Sequence, residues 1–410
     1  MKSNKVLFIT IFILSILLAL TLGIIIGIYL PKGKSINDNA TIKETTIATH
    51  NSFNQSNENL SSNMGSENMN HNSNHNNSSQ NHLNNSDSSN DNSNQNNSTS
   101  TSSGFAGREA LGALSVNNGK LVDKNGNPAM LRGISTHGLS WYPQYVKEDT
   151  FRFLRDTYGV NVIRLAMYTA EYNGYCTGDG NNRQTLNNLI TEGINHATNL
   201  GMYVIVDWHI LSDSNPLQYK EEAKSFFARV SSQYQNYDNI IYEICNEPNG
   251  GTSWQDIKSY ANEIIPVIRQ NDKDAVILVG TPNWSQYLYE AANSPLDFDN
   301  VMYTLHFYAA THKDDLRGIL QSALNQSLPV FVSEFGICDA SGNGGLDVTS
   351  ANIWIELLEN NNISYVLWNL SNKNESSAFL KPECQKTTNF TEDDLSDEGK
   401  WYINILNQHR

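Results

Sequence analysis

Eight short apolar runs, each separated from the next by an amphipathic or loop-like stretch, constrain this chain more than any other feature. They are Met130–Ser135, Val162–Met167, Tyr203–Trp208, Ile240–Cys245, Val276–Gly280, Val301–His306, Val330–Ser333 and Tyr365–Asn369. Val, Ile and Leu dominate, and polar residues rarely interrupt them. Near-continuous apolar runs of this length mark strands buried on both faces, as in parallel sheets. Stretches such as Gln218–Tyr234 and Trp254–Arg269 between them read as amphipathic helices. Eight such alternations predict an α/β (β/α)8 TIM barrel. An open doubly wound sheet is the alternative, although no GxGxxG follows the first run. Before the first run, Asn117-Asn118-Gly119 and Asn125-Gly126-Asn127-Pro128 predict a small N-terminal β-hairpin able to plug the bottom of a barrel.

The material for a core begins after about residue 104, since all seven Trp lie at or beyond Trp141. The preceding segment divides in two. Lys2 and Lys5 flank an apolar run from Val6 to Leu30 that stops at Pro31-Lys32-Gly33-Lys34. Its length suits a bilayer-crossing helix, so residues 1–34 are expected to form an uncleaved signal anchor or transmembrane segment, with cleavage as the alternative. Residues 35–104 are Asn- and Ser-rich and hold almost nothing that fills a core, which predicts a disordered linker. Residues 105–410 are then the folded domain, placed outside the cell as a membrane-anchored or secreted protein, and expected to be a monomer.

The net charge is -15. Phosphate contacts need clustered Lys and Arg, so nucleic acid is excluded as a partner, while a neutral polysaccharide is compatible. The four cysteines, Cys176, Cys245, Cys338 and Cys384, show no zinc-like spacing. No metal or cofactor is expected.

Polar and aromatic residues collect at the carboxyl ends of the predicted strands, which converge on one face of a barrel. The first ends in Thr136-His137-Gly138 with Trp141 beyond, and the second carries Arg164. The third ends in Asp207-Trp208-His209, the fourth in Asn246-Glu247-Pro248-Asn249, and the sixth in His306-Phe307-Tyr308. The seventh ends in Glu334-Phe335-Gly336, and the eighth carries Trp368 and Asn369. Glu247 and Glu334 stand out. Glycoside cleavage needs one carboxyl to protonate the leaving oxygen and another to attack the anomeric carbon or activate water.

The strings LRGISTHGLSW, NVIRLAMYT, VIVDWHIL, YEICNEPNG, LHFYAATH, FVSEFG and LWNLSNKNESS resemble glycoside hydrolase family 5, most nearly its bacterial-type endo-β-1,4-glucanase (cellulase) subfamily. The resemblance runs from about Leu114 to Arg410, with the strings in order. It implies that Glu247 is the acid/base, Glu334 the nucleophile, and Asn246 the contact to a sugar 2-hydroxyl. Arg164 resembles the arginine that contacts the nucleophile. Tyr308 corresponds to a donor to the nucleophile carboxylate and His306 to its companion in the centre. His137 and His209 match histidines that touch the −1 sugar, and Trp368 matches the tryptophan beneath it. Trp141 and Trp284 resemble glycone and aglycone platforms, because aromatic faces suit the apolar C–H faces of glucose. Lys373 and Glu375 resemble a polar pair serving distal glycone subsites. Trp208 is expected to pack in the barrel wall instead.

These readings predict a retaining endo-β-1,4-glucanase that acts on cellulose-type glucans by double displacement. The alternatives are the same mechanism on mannan, xyloglucan or mixed-linkage glucan, or a non-catalytic carbohydrate-binding surface protein. Cys245 departs from the family's small residue at that position and is expected to be buried and inert. Cys338 and Cys384 fall in loops that are adjacent around a barrel, and a disulfide between them is an expectation for the fold to test.

Overall fold

The structure is a computed structural model that describes residues 107–410. The expected anchor (1–34) and linker (35–104) lie outside the described residues. Among the described residues, no helix is long and apolar enough to cross a membrane.

The hairpin comes first. Strands β1 (Ser115–Asn117) and β2 (Lys120–Val122) pair antiparallel. The turn places Asn118 at φ 49° and Gly119 at φ 72°, the left-handed pair that a two-residue hairpin loop needs to match the twist of its strands. Eight strands follow: β3 (Arg132–Thr136), β4 (Val162–Tyr168), β5 (Tyr203–His209), β6 (Ile240–Glu243), β7 (Val276–Val279), β8 (Val301–Tyr308), β9 (Val330–Gly336) and β10 (Tyr365–Leu370). All are parallel, and β10 pairs with β3 to close the barrel. One principal helix follows each: α1 (Glu148–Tyr158), α2 (Gly180–Asn199), α3 (Lys220–Gln233), α4 (Trp254–Arg269), α5 (Leu288–Asn293), α6 (Asp314–Asn325), α7 (Val348–Asn360) and α8 (Asp397–Gln408). The (β/α)8 expectation therefore holds, and the open-sheet alternative does not.

Side chains alternate across each strand, so every second residue faces the barrel interior. Near the bottom these are apolar: Val162, Tyr203, Ile205, Ile241, Val276, Leu278, Met302, Phe331 and Val366 form one buried cluster. Leu114 and Leu121 from the hairpin region belong to the same cluster and close that end. One step higher on β4, β5 and β6, and two steps higher on β8, the inward positions become Arg164, Asp207, Glu243 and His306, all essentially inaccessible to solvent. The intervening positions pack outward against the helices. Trp208, for example, meets Phe226 of α3 at 5.2 Å between ring centroids.

The disulfide expectation is corrected, because all four cysteines are free. Cys338 packs beneath the barrel mouth with Tyr168, Tyr308 and Trp368. Cys384 packs in the outer layer between sheet and helices. Adjacent loops thus send the two thiols into different compartments. Cys245 is buried and inert as expected, with burial pushing its thiol up.

Candidate active site

Arg164 organises the floor of the mouth. It is fully buried on β4, and its planar fork spreads donors in fixed directions. Nε donates to Glu243 Oε2 at 2.7 Å, Nη1 to Glu334 Oε2 at 3.2 Å, and Nη2 to Asn246 Oδ1 at 2.6 Å. Asp207 Oδ2 lies 3.0 Å from Nη2. Burial disfavours the guanidinium charge, but Asp207, Glu243 and Glu334 around it hold it firmly protonated.

Glu334, near the end of β9, has both oxygens engaged. Oε2 accepts from Arg164, and Oε1 accepts from the Tyr308 hydroxyl at 2.9 Å. Glu247 follows the end of β6, where Oε1 lies 2.9 Å from His306 Nδ1. The other ring nitrogen of His306 is 2.9 Å from Ser333 Oγ, and that hydroxyl donates to Glu243 Oε1 at 2.6 Å. Burial resists charge on His306, but bonds with Glu243 and Glu247 and the nearby Glu334 charge raise its pKa to about 9. One donor atom from each of Glu247, His306 and Glu334 lies within 4.8 Å of the other two. The carboxyl groups of Glu247 and Glu334 thus approach each other closely at the mouth of the barrel.

His209, at the end of β5, is the electrostatic opposite of His306. Burial and the Arg164 charge lower its pKa to about 3, against the opposing field of Glu334. A neutral ring fits its partners. Nδ1 is 2.6 Å from Asp207 Oδ2, and Nε2 is positioned to accept from Asn246 Nδ2 at 3.2 Å. Asn246 also donates to the Ile210 carbonyl at 3.1 Å, so its amide orientation is set on every side.

The glycone side is aromatic and polar. Trp368 stacks on His209 with centroids 5.2 Å apart and 19° between planes, and lies 5.2 Å from His137. Trp141 meets His137 at 5.7 Å. Lys373 Nζ pairs with Glu375 Oε2 at 2.6 Å and reaches His137 Nε2 at 3.3 Å. Burial first, then the charge of Lys373, pushes His137 well below the usual imidazole range. Across the mouth Trp284 is 43 % exposed. Its turn is held against the end of β6, because Trp284 N donates to the Pro248 carbonyl at 3.0 Å and Ser285 Oγ to the Asn246 carbonyl at 2.7 Å.

The structure therefore joins Glu247, Glu334, Arg164, His209, Asn246, His306, Tyr308 and Trp368 in one connected set. His137, Trp141, Lys373 and Glu375 lie together on one side, and Trp284 stands apart on the rim. Three participants, Tyr168, Glu243 and Ser333, escaped the sequence reading, and a fourth, Asp207, was noted at its strand end without a role. Tyr168 tilts over His209 at 4.0 Å and over Trp141 at 4.7 Å. Asp207, Glu243 and Ser333 bond to the groups described above. The available signal was their position, polar residues within apolar strands and in step with Arg164.

The family model described as "Cellulase (glycosyl hydrolase family 5)" matches residues 122–374. Endoglucanase A of Butyrivibrio fibrisolvens is 49 % identical over 298 residues, covering 72 % of this chain and 69 % of that protein. An endoglucanase of Clostridium saccharobutylicum is 48 % identical over 289 residues, covering 70 % of this chain and 63 % of that protein. The chain thus spans about two thirds of these relatives' lengths. Among solved structures, the catalytic domain of a Thermobifida fusca endoglucanase, in complex with cellotetraose, superimposes with a TM-score of 0.70 at 37 % identity. That match covers 73 % of this chain and 99 % of the Thermobifida chain.

Proposed function

The chain belongs to glycosyl hydrolase family 5, and from that membership we propose that it hydrolyses internal β-1,4-glucosidic bonds of cellulose-type glucans with retention of configuration. The observation that carries the reading is the approach of Glu247 and Glu334 to within 4.8 Å. Inverting enzymes need roughly 6.5–9.5 Å to admit a water between the carboxyls, whereas direct attack suits about 5–5.5 Å.

In the first step Glu334 attacks the anomeric carbon while Glu247 protonates the departing glycosidic oxygen. The C–O bond to the leaving sugar breaks, and an ester bond to Glu334 forms. In the second step the Glu247 carboxylate removes a proton from water, whose oxygen displaces Glu334. Tyr308 and Arg164 aim the two lobes of the nucleophile. Asn246, held by Arg164 and Ile210, is placed to bind the sugar 2-hydroxyl. Trp368 offers its face to the −1 sugar.

The deciding experiment follows cello-oligosaccharide cleavage by time-resolved NMR. β-Anomeric product should precede mutarotation, and initial α-anomer would overturn the mechanism. The same digestion, sized by chromatography beside mannan, xyloglucan and mixed-linkage glucan, tests bond and polymer. We place the enzyme outside the cell as a monomer, anchored or secreted through residues 1–34, because that apolar run precedes the catalytic domain. Fractionation of expressing cells tests the location, and sedimentation of the catalytic domain tests the monomer.

A further inference from the structure

Tyr172 is the most exposed large apolar side chain among the described residues, at 82 %. It sits in the loop after β4, which is tied down at several points. The Trp141 indole donates to the Tyr172 carbonyl at 3.1 Å. Ser140 Oγ and Asn182 Nδ2 both donate to the Asn173 carbonyl, at 2.5 and 2.8 Å. Glu171 accepts from Ser212 N at 2.9 Å, and its carbonyl from Gly174 N at 2.8 Å. Gly174 lies so close to the Thr169 carbonyl that a Cβ there would stand 2.5 Å from its oxygen. A well-fastened loop that leaves an aromatic ring in water forgoes the stabilisation its burial would supply. Exposure of one ring is ordinary in itself, and what marks Tyr172 is the rigid loop that holds it next to Trp141.

The position indicates a partner. Trp368, His137 and Trp141 form a row of rings leading outward from the acids, with successive centroids 5.2 and 5.7 Å apart. The Trp141 indole then bonds to the main chain of Tyr172, which sets the exposed Tyr172 ring next along the rim. We propose that Tyr172 is the platform of an additional, outermost glycone subsite, beyond Trp141, that takes a further β-linked glucose unit. The inference rests on the proposed glucanase activity. It adds a residue that determines how long a substrate the cleft prefers.

The test compares kcat and KM on cellotriose and cellohexaose for the wild type, Tyr172→Ala and Tyr172→Phe. Stacking of one aromatic ring is worth about five- to tenfold in binding. Tyr172→Ala should therefore raise KM for cellohexaose about five- to tenfold, with kcat and cellotriose kinetics unchanged, and Tyr172→Phe should retain wild-type behaviour. An active wild type whose chain-length preference survives Tyr172→Ala removes the subsite alone. A wild type inactive on every cello-oligosaccharide removes the glucanase reading, and the subsite with it.

Discussion

His306 Nδ1 and Glu247 Oε1 stand 2.9 Å apart, which gives the proposed acid a neighbour that is itself protonated across the neutral range. The pKa of His306 in the folded protein is about 9, above the ordinary 6.5. A raised pKa stabilises the fold below the unfolded value, and that stabilisation is lost as pH rises through the folded value. Melting temperature should therefore fall between pH 6.5 and 9, and His306→Gln should flatten that decline. His209 has the opposite sign. Its pKa is depressed to about 3, so its contribution is present above 6.5 and lost as pH falls toward 3. Melting curves collected across pH check both limbs.

Glu247 and Glu334 should be separable by leaving group. Glu247→Gln should lower kcat on cello-oligosaccharides about 10²–10⁴-fold, the usual worth of a positioned proton donor. On an aryl cellobioside with an acidic phenol, the first bond cleavage needs little protonation, so the loss in kcat/KM should be far smaller, while kcat stays low because Glu247 is also the base of the second step. Glu334→Ala should be severe on both substrates, since no nucleophile remains. Equal losses of kcat/KM for Glu247→Gln on both substrates would contradict its role as the acid.

Arg164 should matter to folding as much as to chemistry. Arg164→Met leaves Asp207, Glu243 and Glu334 close together without their shared cation. Removing one partner from a buried ionic set costs about 3–5 kcal/mol. Urea unfolding should show a midpoint lowered to match. Arg164→Lys should recover only part of the loss, because an ammonium cannot reproduce the fork.

Tyr308→Phe keeps the ring and deletes one hydrogen bond to Glu334. A hydrogen bond to a charged group contributes about 1.5–3 kcal/mol. The melting temperature should therefore fall by several degrees, and turnover should fall as well, because the nucleophile loses one of its two anchors.

The thiols offer a simple check of the compartments. All four cysteines are free. Thiol titration of denatured, unreduced protein should count four, and reductant should leave the melting temperature unchanged.

Much of the barrel was legible because its signal is local. Runs such as Tyr203–Trp208 must be apolar on both faces to lie between core and helices, and the observed β5 differs only in including His209. The carboxylates following β6 and within β9 were visible because the topology sends all strand ends to one face. The roles of Trp141, Trp368, Lys373 and Glu375 came through family resemblance, since a tryptophan or lysine in a loop carries no local mark of its partner. Glu243 was hidden for a different reason. Its purpose lies in Arg164, 79 residues away in the chain, and only barrel closure brings them together. A stricter reading of every second strand position would have exposed it, as a lone acid in an apolar strand requires a counter-charge. The Cys338–Cys384 expectation failed because neighbouring loops do not fix which way a side chain turns.

The hairpin that stoppers the barrel has a mechanical corollary. With one end sealed by Leu114 and Leu121 against the apolar layer, the polar layer around Arg164 opens, among the described residues, at the carboxyl ends of the strands. On the proposed function, a glucan then meets Glu247 and Glu334 from the side of the strand ends alone.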